Sequence, residues 1–144
     1  MPTFTTSAGG VIARKKDDQI QVLLLRDRNY PDRTLPKWHI ESGETTEDAI
    51  RREVHEEAWV TGIQIRELLH ETIRQVRDTD EIKRIMYYLI TLDDPEQTPV
   101  ATADNENFEI KRHDLNNLPS LYLAEQQHIF DTHSETFRKH FAKE

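Results

Sequence analysis

The 144-residue chain contains no cysteine. That excludes disulfides, thiol catalysis and cysteine-ligated zinc. A basic surplus is missing as well: 19 Lys and Arg stand against 27 Asp and Glu, for a formal charge of −8 and a pI of about 5.4. Non-specific nucleic-acid binding needs a cationic footprint, so that class of partner is set aside. No segment approaches the ~20 apolar residues of a membrane span, and "MPTFTTSAGGVIARKK" has too short an apolar run for a secretory signal. The expectation is a cytoplasmic protein with no membrane partner. Repeats, low-complexity tracts and long linkers are absent too, so residues 1–144 are expected to form a single domain.

What is present is a globular composition, with 35% apolar and 32% charged residues. "AGGVIA" and "IQVLLLR" are β-rich runs separated by the polar "RKKDDQ", which predicts a hairpin. "DRNYPDRTLP" reads as a loop with two prolines. A helix is expected over "GETTEDAIRREVHEEAWVTG", with Thr45 as N-cap, Asp48 as a weak capping-box partner and Gly62 as a stop. Residues 63–77 and 81–93 predict two strands joined by a polar turn. The second is apolar on both alternating sets, as suits a strand inside a sheet covered on both sides. The segment 94–107 is a long polar loop, and "FEIKRHDL" a short strand. From Leu121 to Phe141 a helix is expected, with Leu123, Phe130, Phe137 and Phe141 as its core stripe. Strands, helix, strands, helix is the order of an α/β fold, an α/β/α sandwich on a mixed β-sheet.

The chemistry concentrates in "PKWHIESGETTEDAIRREVHEEAWV", residues 36–60. On a helical wheel at ~100° per residue, Ile50, Val54 and Ala58 form the buried edge. Glu53, Glu56 and Glu57 cluster beside that edge, and Arg52 lies one turn before Glu56. Like charges at these spacings each cost ~0.2–0.5 kcal/mol even when exposed, and desolvation raises the cost. A divalent cation reverses the sign. Hard oxygen ligands suit Mg²⁺ or Mn²⁺, with phosphate oxygens completing the shell. Alone, three glutamates on a helix also read as a solvated acidic face.

The spacing around them resembles the Nudix box: glycine, five residues, glutamate, seven residues, then Arg-Glu-aliphatic-x-Glu-Glu-x-Gly-aliphatic. Glu44, Arg52, Glu53, Val54, Glu56, Glu57 and Val60 match it. Five fixed charged positions would coincide by chance about once per million registers at average residue usage. "SAGGVIA" is similar to the family's first strand, and "LPKWHIESGET" to the "PKGH" entry of dinucleoside-polyphosphate and diphosphoinositol-phosphate hydrolases. The resemblance implies a Nudix-type α/β/α sandwich. It also implies metal-dependent attack by water on a phosphoanhydride of a nucleotide-like small-molecule substrate: a dinucleoside polyphosphate, nucleoside triphosphate or nucleotide sugar. Glu53, Glu56 and Glu57 would hold Mg²⁺ or Mn²⁺. Glu53 or a loop acid would be the base, Arg52 would orient the glutamates, and Glu44 would brace the loop–helix junction. Asp104 and Glu106 are the candidate loop acids.

Two departures stand out. Trp38 replaces the first box glycine and Trp59 the last. Glycine serves where φ is positive or backbone must approach a ligand. Trp38 therefore has three readings: a stacking platform for a base, packing that leaves the site intact, or an obstruction to catalysis. Trp59 is expected to pack at the helix edge. Lys37, His39 and Arg26 are the substrate-binding candidates, with Arg28, Arg74, Lys83 and Arg84 behind them as phosphate contacts. The leading expectation is a pyrophosphohydrolase, with a homodimer left open. The rivals are a catalytically impaired nucleotide-binding module and an acidic protein–protein adaptor, the latter with no metal affinity.

Overall fold

The computed structural model describes residues 2–27, 32–57, 60, 62–97 and 108–142, and their side chains except those of 27, 55–57 and 108. Eight elements follow in order: β1 (Thr3–Lys16), β2 (Gln19–Asp27), β3 (Lys37–His39), α1 (Thr46–Glu57), β4 (Ile63–Gln75), β5 (Glu81–Leu92), β6 (Phe108–Asp114) and α2 (Ala124–Phe141). The strands form one sheet in the order β4-β5-β1-β2-β6, with β3 paired to β1 beside that path. β1 and β5 run parallel from Thr3↔Glu81 to Ala13↔Thr91, and the other pairs are antiparallel. The sheet is mixed, as expected.

The alternation of β1 sorts the core into two layers. Ala8 and Ile12 face α1, where Trp38, Leu23, Ile90, Ile50 and Val54 are buried with them. Val11 and Ala13 face α2, against Ile129, Phe130, Phe137 and Phe141. β5 lies between β4 and β1 and feeds both layers, so its two apolar faces are both used. Among the described residues no helix is long and apolar enough to cross a membrane.

Several boundaries differ from the sequence expectation, and α1 spans Thr46–Glu57, short of the expected stop at Gly62. β1 does not end at "AGGVIA" but runs on to Lys16, whose partner is Gln19, leaving Asp17 and Asp18 as the whole turn. Both take positive φ, +52° and +68°, the geometry that lets a two-residue loop follow strand twist. The second helix starts at Ala124 rather than Leu121, because Leu121 is tied into a bridge with Arg33. And "KWH" is a strand, too short for periodicity to reveal.

The small residues of "SAGG" have a packing cause. A Cβ on Gly9 would lie 2.5 Å from the Tyr87 ring, and one on Gly10 2.5 Å from Ile90 Cδ1 and 3.6 Å from the Trp38 indole. Large rings lie over this stretch on both faces, so side chains there must be small.

Candidate active site

α1 begins where its sequence signals place it. The Thr45 hydroxyl accepts the Asp48 amide N–H at 3.1 Å, and its carbonyl accepts that of Ala49 at 3.1 Å. Glu47 and Asp48 occupy the positive end of the helix dipole. Ile50 and Val54 are buried, at 0% and 1% exposure. That burial fixes the rotation of α1 and brings Arg52 and Glu53 to the margin of the core.

Ahead of the helix the chain turns at Gly43, whose φ is +84°. The turn closes on itself: the Glu44 amide donates to Glu41 O at 3.0 Å, and the Glu41 amide donates to Glu44 Oε1 at 2.9 Å. Arg52 then grips this turn. Its Nε and Nη2 donate to the two Glu44 oxygens at 2.7 and 2.8 Å, a bidentate fork. Its Nη1 donates to Glu53 Oε1, and Glu41 lies 3.8 Å away. The Arg52 hydrogen bonds, helped by the Glu41 N–H, hold the Glu44 carboxyl down at about 2. The same bonds push the guanidinium further up. Residues 8 positions apart thus become one rigid unit at the loop–helix junction.

The Glu53 side chain is only 13% exposed. Among the described residues its Oε2 accepts no hydrogen bond. A carboxylate oxygen held at the core margin with a free lone pair is a hard donor, which fits a divalent cation. The side chains of Glu56 and Glu57 lie outside the described residues, as do Ala58, Trp59, Arg28, Asp104 and Glu106. No group of three potential metal ligands gathers among the residues that are described.

Trp38 is 4% exposed and belongs to the α1-side core with Ile50 and Val54. A buried indole offers no face to a base, so we assign Trp38 to packing and correct the stacking expectation. Its β3 neighbours point the other way. His39 is exposed, with Nδ1 3.4 Å from the hydroxyl of buried Ser7. Lys37 is half-buried, and its amine is lowered by that burial and by the facing cations Arg74 and Lys83, with Glu125 opposing. Arg74 and Lys83 pair across β4 and β5, and their charges reach Lys37 together with that of Glu125, which binds Arg74. Lys37 is joined to the Arg52 unit by the segment 37–44. Arg26 forms an ion pair with Glu109 at 3.4 Å across β2 and β6, and Arg84 one with Glu71 at 2.8 Å.

The sequence reading missed the groups behind these cations. Glu125 binds Arg74 and accepts the Tyr87 hydroxyl at 3.2 Å. Gln126, fully buried, accepts the Leu35 N–H at 2.8 Å and the Thr34 hydroxyl at 3.1 Å, and donates to Tyr87 Oη at 3.3 Å. These partners are 38 to 92 positions apart, and no spacing rule links them.

Comparison with known proteins agrees with this geometry. The model of the NUDIX domain matches residues 3–133. The bis(5'-nucleosyl)-tetraphosphatase (asymmetrical) of Caenorhabditis elegans is 36% identical over 99 residues, 66% of this chain and 70% of that protein. A crystal structure of a C. elegans Ap4A hydrolase binary complex superposes with a TM-score of 0.75 at 26% identity, over 94% of this chain and 98% of that one. A MutT NUDIX hydrolase from Burkholderia pseudomallei shares the fold, with a TM-score of 0.67 at 19% identity over 90% and 97% of the two chains. With a family match across nearly the whole chain and the box residues Glu44 and Glu53 bonded to Arg52, the protein belongs to the NUDIX family and is a pyrophosphohydrolase of that family.

Proposed function

We propose that this hydrolase cleaves dinucleoside polyphosphates, with a dinucleoside tetraphosphate as its preferred substrate. The observation that carries the reading is the ordered Arg52 unit, with the cations Lys37, Arg74 and Lys83 gathered by β3, β4 and β5. The Arg52–Glu44–Glu53 unit supplies ordered carboxylate, and Lys37, Arg74 and Lys83 supply positive charge for a long polyphosphate. The relationship to an asymmetrical tetraphosphatase supports the same substrate class.

Nudix hydrolases generally need divalent metal ions, and Glu53, with Glu56 and Glu57 on the same helix, would hold Mg²⁺ or Mn²⁺. Such a cation supplies polarisation of the phosphoryl group and acidification of water. The chain's own residues do the rest. Glu53, or Asp104 or Glu106 from the loop, takes the proton as the water oxygen bonds to phosphorus. The bridging P–O bond breaks, and its electrons leave with the departing nucleotide. Arg52 holds Glu53 in place for this step, and Glu44 holds Arg52. Lys37, with His39 and Arg26 as further contacts, neutralises phosphate oxygens.

The test is product analysis over a panel of dinucleoside polyphosphates, nucleoside triphosphates and nucleotide sugars, with Mg²⁺ and with Mn²⁺. The tetraphosphate should give the highest kcat/KM, and Glu53→Gln should lower its kcat by roughly 10²-fold or more, the scale of a lost acid–base group. A panel led by a nucleotide sugar would refute the substrate class. The binding-module alternative is disfavoured by the intact Arg52–Glu44–Glu53 unit and by Trp38 lying in the core instead of across the site.

A further inference from the structure

The segment leading into Lys37 is held by a buried polar chain at Thr34 and Leu35. In the sheet, Lys37 pairs with Gly9, and Gly9 pairs with Tyr87, so the three lie in one cross-strand row. Gly9 has no side chain, and the Tyr87 ring occupies the space a Cβ would need. Tyr87 is fully buried, and burial pushes its phenol up, so it stays a neutral hydroxyl. That hydroxyl donates to Glu125 and accepts from Gln126. Gln126 in turn holds the backbone of Leu35 and the side chain of Thr34, two and three residues before Lys37. The Gln126 amide oxygen thus ties the segment leading into β3 to the start of α2, and its amide nitrogen ties the same point to Tyr87 in β5.

Resting on the proposed role of Lys37 as a phosphate contact, we infer that Gln126 and Tyr87 are positioning residues that lock the Thr34–Leu35 segment to α2 and so present Lys37 to the substrate in one place. Burial makes the lock demanding. An amide with no exposure loses water on both sides, so removing a partner leaves a buried polar atom unpaired rather than re-solvated. The Leu35 N–H has no ladder partner of its own to fall back on, since Leu35 precedes β3 and its amide is given to Gln126. The groups facing Lys37 are Arg74 from β4, Lys83 from β5 and Glu125 from α2. Glu125 is itself held by Tyr87 and Arg74, so one network orders both the lysine and the charges around it.

Two measurements on the full chain test this. Steady-state kinetics on diadenosine tetraphosphate would compare wild type, Lys37→Ala, Gln126→Met and the double variant. Lys37→Ala is expected to raise KM roughly tenfold with little change in kcat, the scale of one charge-assisted contact. Gln126→Met should raise KM in the same direction, and the double variant should be no worse than Lys37→Ala alone, because both changes remove one interaction. Effects that multiply, or a Gln126 effect confined to kcat, would overturn the positioning role. Tyr87→Phe, which keeps the ring and removes only the hydroxyl, repeats the cycle if Gln126→Met does not fold. The second measurement is the NMR titration of the Lys37 side chain without substrate. It should titrate below an ordinary lysine in wild type and return toward the ordinary value in Gln126→Met or Tyr87→Phe. An identical titration in all three overturns the inference. A shifted titration together with an unchanged KM in Lys37→Ala upholds the positioning and refutes the phosphate role instead.

Discussion

Restoring glycine at the first box position by Trp38→Gly should cost stability without improving catalysis. Trp38 is 4% exposed and packs with Ala8, Ile12, Leu23, Ile50, Val54, Val60, Ile63 and Ile90. A buried tryptophan removes some 150–250 Å² from water. At about 25 cal/mol per Å² that is ~4–6 kcal/mol as an upper value. Measured truncations of buried Trp to Ala cost ~3–5 kcal/mol, and glycine within a strand adds ~0.5–1 kcal/mol. For a domain of this length each kcal/mol lowers Tm by about 3 °C, so the variant should melt roughly 10–18 °C below wild type. The loss cannot be local, because Ile50 and Val54 in the same cluster set the rotation of α1. Thermal unfolding beside kcat/KM on the best tetraphosphate substrate checks this. A Tm within a few degrees of wild type, together with a kcat/KM that rises, would show that the indole obstructs the site, and the packing assignment would fall.

Three further outcomes follow from the same geometry. Glu44 titrates at about 2 when folded, against an ordinary 4.5. A depressed carboxyl contributes stability above its unfolded value and loses it as pH falls through the folded one. Acid unfolding curves should therefore show Glu44→Gln losing less stability than wild type between about pH 4.5 and 2. Mg²⁺ or Mn²⁺ should raise Tm by mass action, and Glu56→Gln with Glu57→Gln should abolish that rise; an unchanged metal response would remove both from the metal shell. Asp18→Gly should stabilise the β1–β2 hairpin by up to ~1 kcal/mol, the left-handed penalty of ~1–2 kcal/mol less the entropy glycine adds to the unfolded chain; a lower Tm would mean that the Asp18 carboxylate serves the fold in some other way.

Much of the molecule could be read from the chain because the signals are local. The Thr45 cap, the buried Ile50 and Val54 stripe and the dual apolar faces of β5 depend on residues within a turn or two of one another, and the structure has all of them. The pairing of Arg52 with Glu44 and Glu53 is likewise local, eight residues and one residue apart. The family resemblance implies roles for both Arg52 and Glu44, but Glu44 precedes the helix, so their bond depends on the turn at Gly43 as well as on helical periodicity. The fate of Trp38 could not be read this way. The sequence left three readings of it open, and only the packing of α1 against β1 closed the indole inside the core. β3 was invisible for a similar reason: three residues carry no period, and they become a strand only because β1 offers them an edge. The cluster behind Lys37 is the clearest case. Arg74, Tyr87, Glu125 and Gln126 come from three elements; Arg74 is a candidate phosphate contact, but nothing in the local sequence marks the other three as its partners. They meet because β4, β5 and the start of α2 converge there, and because the missing side chain at Gly9 leaves room for a tyrosine ring. Local periodicity determines which residues face the core, but which distant polar groups must satisfy one another inside it is decided by the tertiary fold, since a buried donor accepts whatever partner the packing brings.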